Sequence, residues 1–218
     1  MSSTDGHTAS ATSEQALATL RRFAQRRAGA QGCEFCSEAL SAEHRHVIEV
    51  GTRNIVCACT PCALRFENVI GHWKLIPRDP KRLEGFQISD LQWNALSLPI
   101  NLVFIFRNSA EKKLVALYPS PGGATESLLP ATDWESLVSD NPVLGEMNSD
   151  VEALLINRLK DARDYYLAPI DRCFELVGRI RLNWRGFSGG DRVWAEIENF
   201  FATLRADSKE TSTDVQHA

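Results

Sequence analysis

The sequence lacks a hydrophobic run long enough to cross a bilayer, because its longest apolar stretch, residues 98–106, is short and contains Asn101. The N-terminus also lacks the basic start, the apolar run and the small-residue cleavage site of a signal peptide. We therefore expect a soluble protein that stays in the cytoplasm and has no membrane span.

The chain also lacks an excess of positive charge. Its formal net charge is -4 at pH 7, whereas dedicated nucleic-acid binders are usually strongly basic. One local basic patch contains Arg179, Arg181 and Arg185 around Trp184. We interpret it as a solvated helix face with the indole packed inward, the alternative being a surface for an acidic partner, a phosphate or a nucleic acid. Nucleic acid is not expected as the main partner.

Signatures of common catalytic sites are missing as well. The glycine-rich stretches at 121–123 and 188–190 fit neither a phosphate loop nor a dinucleotide-binding fingerprint, and they predict turns. Carboxylates such as Asp133, Glu152 and Asp171 are scattered along the chain and suggest no acid–base pair. The sequence therefore predicts no catalytic residue and favours a non-enzymatic role, although it does not exclude an enzyme.

What the sequence does have is a dense cysteine pattern. Five of its six cysteines form the runs Cys33-Glu-Phe-Cys36 and Cys57-Ala-Cys59-Thr-Pro-Cys62. A Cys-x-x-Cys turn directs two thiolates at one point, and two such turns joined by a hairpin supply four soft ligands in a tetrahedron. Without a secretion signal, this pattern indicates metal binding and not disulfides. We predict one metal site with the ligands Cys33, Cys36, Cys59 and Cys62.

The identity of the ion stays open between zinc and iron, because both metals accept four thiolates in a tetrahedron. We expect zinc, since a site of four cysteines leaves no coordination position for a substrate and typically stabilises a small fold. Iron would instead make a rubredoxin-like centre that carries electrons.

Two cysteines lie outside this ligand set. We interpret Cys57 and Cys173 as small core side chains, because cysteine is often simply a buried apolar residue. For Cys57, the alternatives are a substitute ligand or a redox-active thiol.

Two histidines flank the first strand of the expected hairpin. His44 and His46, beside the cysteine pairs, are similar to the arrangement of HNH nucleases. That arrangement needs a metal held by a histidine of the strand and by a histidine or asparagine of the following helix. Here that helix offers only Asn68 or His72, in the wrong register, so we expect the histidines to be solvated or structural.

Composition and hydrophobic periodicity divide the chain into five parts. These are a disordered tail at 1–12, an N-terminal helix at 13–30, the four-cysteine metal-binding module at 31–72, an α+β domain at 89–206 and a disordered tail at 207–218. Residues 72–88 are expected to connect the module to the domain. Within the module, residues 46–50 and 54–57 predict a β-hairpin, followed by a short helix after Cys62.

The domain at 89–206 is predicted to combine antiparallel strands with a C-terminal helix. The expected strands are 102–106, 114–118, 125–129, 151–157 and 165–170, and the expected helices are 90–96, 133–138 and 193–204. The segment 171–186 fits one face of a helix and also one face of a strand, and its length favours the helix. The predicted fold class is therefore α+β, with a zinc-ribbon or treble-clef-like module before a mixed α+β domain.

Three segments carry a resemblance to a known family. They are the cysteine pattern at 33–62, the stretch Tyr118-Pro-Ser-Pro-Gly-Gly-Ala-Thr-Glu126, and the block from Pro169-Ile-Asp-Arg-Cys-Phe-Glu-Leu-Val-Gly178 to Trp184-Arg-Gly-Phe-Ser-Gly-Gly190. Through them the chain resembles, over residues 17–205, a bacterial cysteine-motif family without an established activity. Members of that family tend to be encoded beside oxygen-tolerant [NiFe] hydrogenases of the actinobacterial type.

The resemblance implies a setting, hydrogenase biogenesis or electron transfer, and it carries the ligand assignment onto Cys33, Cys36, Cys59 and Cys62. The leading hypothesis is a metal-binding accessory protein that docks onto a hydrogenase subunit or a maturation factor. The alternatives are a rubredoxin-like electron carrier and an HNH-like protein that acts on nucleic acid.

Overall fold

The computed structural model describes residues 31–67, 71–127, 129 and 131–212. The tail predicted at 1–12 and the helix predicted at 13–30 lie outside these residues, as does Asn68. The described chain has a mixed α+β architecture with antiparallel sheets, C-terminal helices and a separate cysteine module, which confirms the predicted fold class.

The smaller sheet belongs to the cysteine module. It contains β1 (Arg45–Glu49), β2 (Asn54–Ala58) and β3 (Trp73–Leu75), in the order β2-β1-β3 with both pairs antiparallel. The helix α1 (Thr60–Leu64) follows β2 directly. The hairpin β1–β2 was predicted, but β3 lies entirely within the segment 72–88, which was expected to be a connector. Three residues are too few to show a period, so only the pairing with β1 reveals this strand.

The larger sheet has seven strands. They are β4 (Lys81–Glu84), β5 (Leu102–Asn108), β6 (Lys113–Ser120), β7 (Gly123–Ser127), β8 (Glu152–Asn157), β9 (Asp164–Pro169) and β10 (Lys209–Ser212). Their order is β10-β4-β9-β8-β5-β6-β7, and only β10 and β4 pair in parallel.

Two neighbouring strands at one end of this sheet, β10 at its edge and β4 beside it, lie where the sequence predicted none. β4 falls in the segment expected to connect the two parts, and β10 falls in the range 207–218 expected to be a disordered tail. Both are four residues long and rich in charged or polar residues. Such strands show little hydrophobic alternation, and their backbone groups find partners only when distant parts of the chain meet.

Helices cover both faces of the larger sheet. α2 (Asp90–Ala95) and α3 (Ala131–Asp140) pack with Val103 and Ile105 on one face, while α4 (Ile170–Asn183) and α5 (Gly190–Asp207) pack with Phe104 and Phe106 on the other. Successive side chains of a strand point to opposite faces. Residues 103–106 of strand β5 are all apolar because both faces of this strand are buried.

No described helix is both long and apolar enough to cross a membrane.

The segment 171–186, whose pattern fitted both a helix and a strand, forms helix α4 over most of its length. Its buried side chains Cys173, Leu176 and Ile180 recur at helical spacing and face the sheet. Cys173 is completely buried, as predicted for a core residue. The helix places Asp171, in its first turn, at the border with the cysteine module.

The module packs directly against the larger domain. Ile48 of β1 and Ile76 after β3 belong to the same buried cluster as the α4 and α5 side chains. Lys74 Nζ lies 2.6 Å from Oδ2 of the buried Asp150. The smaller sheet therefore has one face toward its own cysteines and the other toward the domain.

Candidate metal centre

The first cysteine pair lies in a tight turn that precedes β1. The Ser37 N–H donates to the carbonyl of Cys33 at 2.7 Å, and the Cys33 N–H donates to the carbonyl of Glu38 at 2.7 Å. Ser37 has a φ of 64°, in the left-handed region that reverses the chain sharply. The turn brings the Cys36 thiol back beside that of Cys33.

The second cysteine pair lies at the start of α1. Cys59 immediately precedes the helix, Pro61 stands in its first turn, and Cys62 follows. A proline is well tolerated there because that N–H has no partner within a helix. The Ala63 N–H donates to the carbonyl of Cys59 at 2.9 Å, which closes the first turn. Positions three apart share one helix face, so Cys59 and Cys62 present their thiols together.

A double contact joins the first turn to strand β2. The Glu34 N–H donates to the carbonyl of Cys57 at 2.9 Å, and Glu34 Oε1 accepts from the Cys57 N–H at 2.8 Å. Cys57 is only two residues before Cys59. This pair of hydrogen bonds therefore brings the two cysteine pairs to the same place.

The four cysteines predicted as ligands lie together. The Sγ atoms of Cys33, Cys36, Cys59 and Cys62 are all within 4.8 Å of one another, and those of Cys36 and Cys59 are 3.6 Å apart. Four thiolates at about 2.3 Å from one ion would lie about 3.8 Å from each other. The arrangement therefore suits one tetrahedral ion, and it accommodates zinc and iron equally. None of the six cysteines forms a disulfide.

The thiols of this cluster differ in acidity. Burial raises the pKa of Cys33, but backbone hydrogen bonds from Cys59, Phe35 and Cys36 outweigh it and lower that pKa to about 6. Hydrogen bonds with the neighbouring thiols of Cys59 and Cys36 raise the pKa of Cys62 to about 12. Without metal, Cys33 therefore forms a thiolate readily, whereas Cys62 retains its proton. A divalent cation would replace those protons.

The apolar core around the cluster is small. Its buried members are Cys33, Val47, Val56, Ala58 and Ala63. A core of this size buries little apolar surface, and modules of such dimensions usually need a metal or disulfides to stay folded.

An aromatic cluster, formed by Phe35, Phe66 and Trp73, lies beside the first cysteine turn. The ring of Phe35 is 5.0 Å from that of Phe66 and 5.5 Å from that of Trp73, centroid to centroid. Phe35 stands between Cys33 and Cys36 in the chain and is 39% exposed. Any change in the cysteine turn will therefore move an exposed ring.

The predicted histidines lie on the other face of the hairpin, together with Cys57. One candidate ligand atom from each of His44, His46 and Cys57 lies within 4.8 Å of the other two. His46 and Cys57 are direct partners in the β1–β2 register. Cys57, which we interpreted as a core side chain, is only half-buried.

A signal for this group was present in the sequence. His44 and His46 are two residues apart, and Cys57 lies in the partner strand of the predicted hairpin. Combining the register of the hairpin with the alternation of strand side chains would have placed the three on one face. The contact of His46 with Asp171 had no such local signal.

The geometry differs from that of HNH nucleases. Within the described part of the chain, the group of histidines and Cys57 includes no residue of α1 or of the residues that follow it. The exposed His72 lies outside the group, and Asn68 lies outside the described residues.

The basic patch of the sequence behaves as a solvated helix face. Arg179 pairs with Glu175 at 2.6 Å and lies 3.9 Å from Glu196. Trp184 packs against the main core, and its indole N–H donates to the carbonyl of Gly186 at 2.8 Å. These contacts agree with the interpretation that the indole points inward.

Comparison with known proteins gives one match. A family model described as "Family of unknown function (DUF5947)" matches residues 32–208. This range contains the four clustered cysteines and every described strand except β10. The chain matches no curated protein and no solved structure.

Proposed function

Because the chain belongs to the DUF5947 family, whose description names no activity, we propose a function from the metal centre itself. The protein is a metal-binding accessory protein in which Cys33, Cys36, Cys59 and Cys62 hold one structural zinc ion. The observation that carries this proposal is the convergence of four thiols within 4.8 Å. Four thiolates complete the coordination of zinc and leave no position for a substrate.

The small core of the module supports a structural role for the ion. Its first cysteine turn is joined to the hairpin by two hydrogen bonds between Glu34 and Cys57, one of them to the Glu34 carboxylate. An ion held by both turns would supply the free energy that this core lacks. In this proposal, zinc holds in place the surface around the cysteines.

That surface supports a role in docking. Phe35 of the aromatic cluster is 39% exposed, and Leu64 of α1 is 49% exposed. Exposed aromatic side chains that are anchored on one side often dominate the binding energy of a protein interface. We therefore assign the aromatic cluster as the contact surface for a protein partner.

The partner that we propose is a subunit or a maturation factor of a [NiFe] hydrogenase, in the cytoplasm. The sequence resemblance supports this choice, since members of the family that it indicates tend to be encoded beside such enzymes. The absence of disulfides among the six cysteines is consistent with a reducing compartment.

A deletion strain tests the partner. Removing the gene from a host that makes a [NiFe] hydrogenase should lower the yield of mature enzyme, and the wild-type gene should restore it. A gene carrying Cys59→Ser should fail to restore it, whereas Leu91→Ala, a change at an exposed leucine of α2, should succeed. Unchanged hydrogenase maturation in the deletion strain would rule out the proposal that a hydrogenase subunit or maturation factor is the partner.

A rubredoxin-like electron carrier is the second candidate, and the position of Cys36 favours it. This thiol is exposed, and Cys59 and Cys62 are half-buried, so an iron held there would lie near the surface. Metal analysis and a visible spectrum of anaerobically purified protein separate the two candidates. One colourless zinc would exclude the carrier, whereas iron with absorption that bleaches on reduction would exclude the purely structural zinc.

A further inference from the structure

A second group of metal-ligand side chains lies on the face of the hairpin opposite the module core. We call His44, His46 and Cys57 the histidine cluster. Val47 and Val56 of the same strands belong to the module core, whereas Ile48 belongs to the core shared with the domain. Because strand side chains alternate, the histidine cluster faces the domain and helix α4.

The imidazole of His44 is oriented for metal binding. Its Nδ1 lies 3.0 Å from the carbonyl oxygen of Ser41. A carbonyl oxygen can only accept, so Nδ1 carries a proton, and in the neutral imidazole the free lone pair is then on Nε2. That Nε2 atom is buried and finds no hydrogen-bond partner among the described residues. Buried polar atoms normally have a partner, and a metal ion would supply one here.

The imidazole of His46 is oriented in the same way by a carboxylate. Its Nδ1 lies 2.7 Å from Oδ2 of Asp171. The carboxylate fixes the ring and leaves Nε2 as the nitrogen available for a ligand bond. A histidine that binds metal usually donates its other ring N–H to a carboxylate or a backbone carbonyl. Both histidines of the cluster show that second contact.

Cys57 completes the group. It is the direct cross-strand partner of His46, and its backbone N–H and carbonyl are both bound by Glu34. The strand is therefore held in register while the thiol stays within 4.8 Å of the candidate atoms of both histidines. The four other cysteines of the module already fill one tetrahedral site, so Cys57 is available for another.

We propose that His44, His46 and Cys57 form a second metal site, which takes a zinc-class divalent ion and keeps one coordination position open. Two imidazoles and one thiolate are ligands that zinc accepts, and three protein ligands leave the fourth position for water or another small exchangeable molecule. His44 and His46 line a cleft of 630 Å³ between the module and α4, from which such a molecule would approach. The four-cysteine site offers no comparable position. This proposal does not depend on the docking role.

Zinc stoichiometry tests the second site. Dialysed against zinc, the full chain should retain two ions, and Cys57→Ser and His46→Ala should each retain one. His72→Ala removes an exposed histidine outside the cluster and should retain two. A wild-type chain that retains only one ion, or a Cys57→Ser variant that retains two, would overturn the proposal.

Cobalt provides a measurement on the wild-type chain that does not rely on any variant folding. Protein already carrying one equivalent of zinc should bind one equivalent of Co²⁺ with thiolate-to-metal absorption in the near ultraviolet. Cobalt that binds without thiolate absorption would indicate exposed carboxylates or histidines as ligands and would refute the site.

Discussion

His46 and Asp171 join the cysteine module to the α+β domain although they are 125 positions apart in the chain. Nδ1 of the imidazole lies 2.7 Å from the carboxylate, and the two side chains are 31% and 18% exposed. The other oxygen of Asp171 accepts from the backbone N–H of Arg172 at 2.8 Å, in the first turn of α4. One carboxylate therefore orients a ring of the module and stabilises the start of a domain helix.

Replacing that carboxylate should weaken the contact between the two parts. We expect Asp171→Ala to lower the free energy of unfolding by about 1–3 kcal/mol, because it leaves a half-buried imidazole N–H without its partner. Urea denaturation measures the change. The control is Glu198→Ala, which breaks an exposed pair with Lys160 whose side chains are 69% and 68% exposed. That control should cost at most about 1 kcal/mol, and an equal loss for both variants would contradict the role of Asp171.

Removing one ligand of the four-cysteine site should release its ion. We predict that Cys59→Ser binds one zinc ion fewer than the wild-type chain and melts at a lower temperature, because three thiolates and a small core hold the module less firmly. Metal analysis and thermal denaturation measure both effects. Cys173→Ala is the matched control, since this cysteine is buried in the domain core. It should lose stability but no zinc, so zinc loss from Cys173→Ala would argue against the ligand assignment.

Zinc affinity at the four-cysteine site should rise with pH in two regimes. Thiol hydrogen bonds raise the pKa of Cys62 to about 12, so this group must lose a proton on binding. A backbone hydrogen bond from Glu38 lowers the pKa of Cys36, but its contacts with the thiols of Cys33 and Cys59 raise that pKa overall.

Cys33 behaves differently, because burial raises its pKa but backbone hydrogen bonds bring it down to about 6. The Cys33 thiol is already ionised above that pH. Below it, protons also compete with zinc for this sulfur. The logarithm of the affinity should therefore rise by at least about two per pH unit near neutrality and more steeply below about pH 6. Competition with a chromophoric chelator measures the slope, and one constant slope through pH 6 would contradict the low pKa of Cys33.

Truncating the exposed ring of the aromatic cluster should reduce partner binding more than stability. Phe35→Ala removes contacts with Phe66 and Trp73, which we expect to cost about 0.5–1.5 kcal/mol of stability for each aromatic pair at most. Binding to the hydrogenase partner that we propose should weaken by about 2 kcal/mol or more, because anchored aromatic side chains often dominate the binding energy of an interface.

The control for this variant is Leu91→Ala, at a leucine of α2 that is 81% exposed. It should leave the affinity unchanged in the same titration calorimetry experiment. Equal affinities of wild-type protein and Phe35→Ala would show that the aromatic cluster is not the contact surface.

Much of the cysteine module could be predicted because its determinants are local. The spacing of Cys33 and Cys36, and of Cys59 and Cys62, places each pair in a single turn whatever the rest of the chain does. The β1–β2 hairpin and the long helix α5 also follow from short-range alternation and from helical periodicity. These elements carry their signal within a few residues.

Short strands could not be predicted in the same way. Strands β3, β4 and β10 have three or four residues each, and their partners lie far away in the sequence. Their backbone hydrogen bonds form only once the apolar faces of longer elements have packed.

The class of the fold and the four clustered thiols could be predicted from local patterns, since turns and hairpins depend on neighbouring residues. The contact of His46 with the domain, in contrast, arises only from the tertiary packing. Packing of Ile48 and Ile76 into the domain core brings β1 against α4 and so places Asp171 beside His46. This contact depends on how two separately predictable parts bury their apolar faces together, and no local pattern encodes that arrangement.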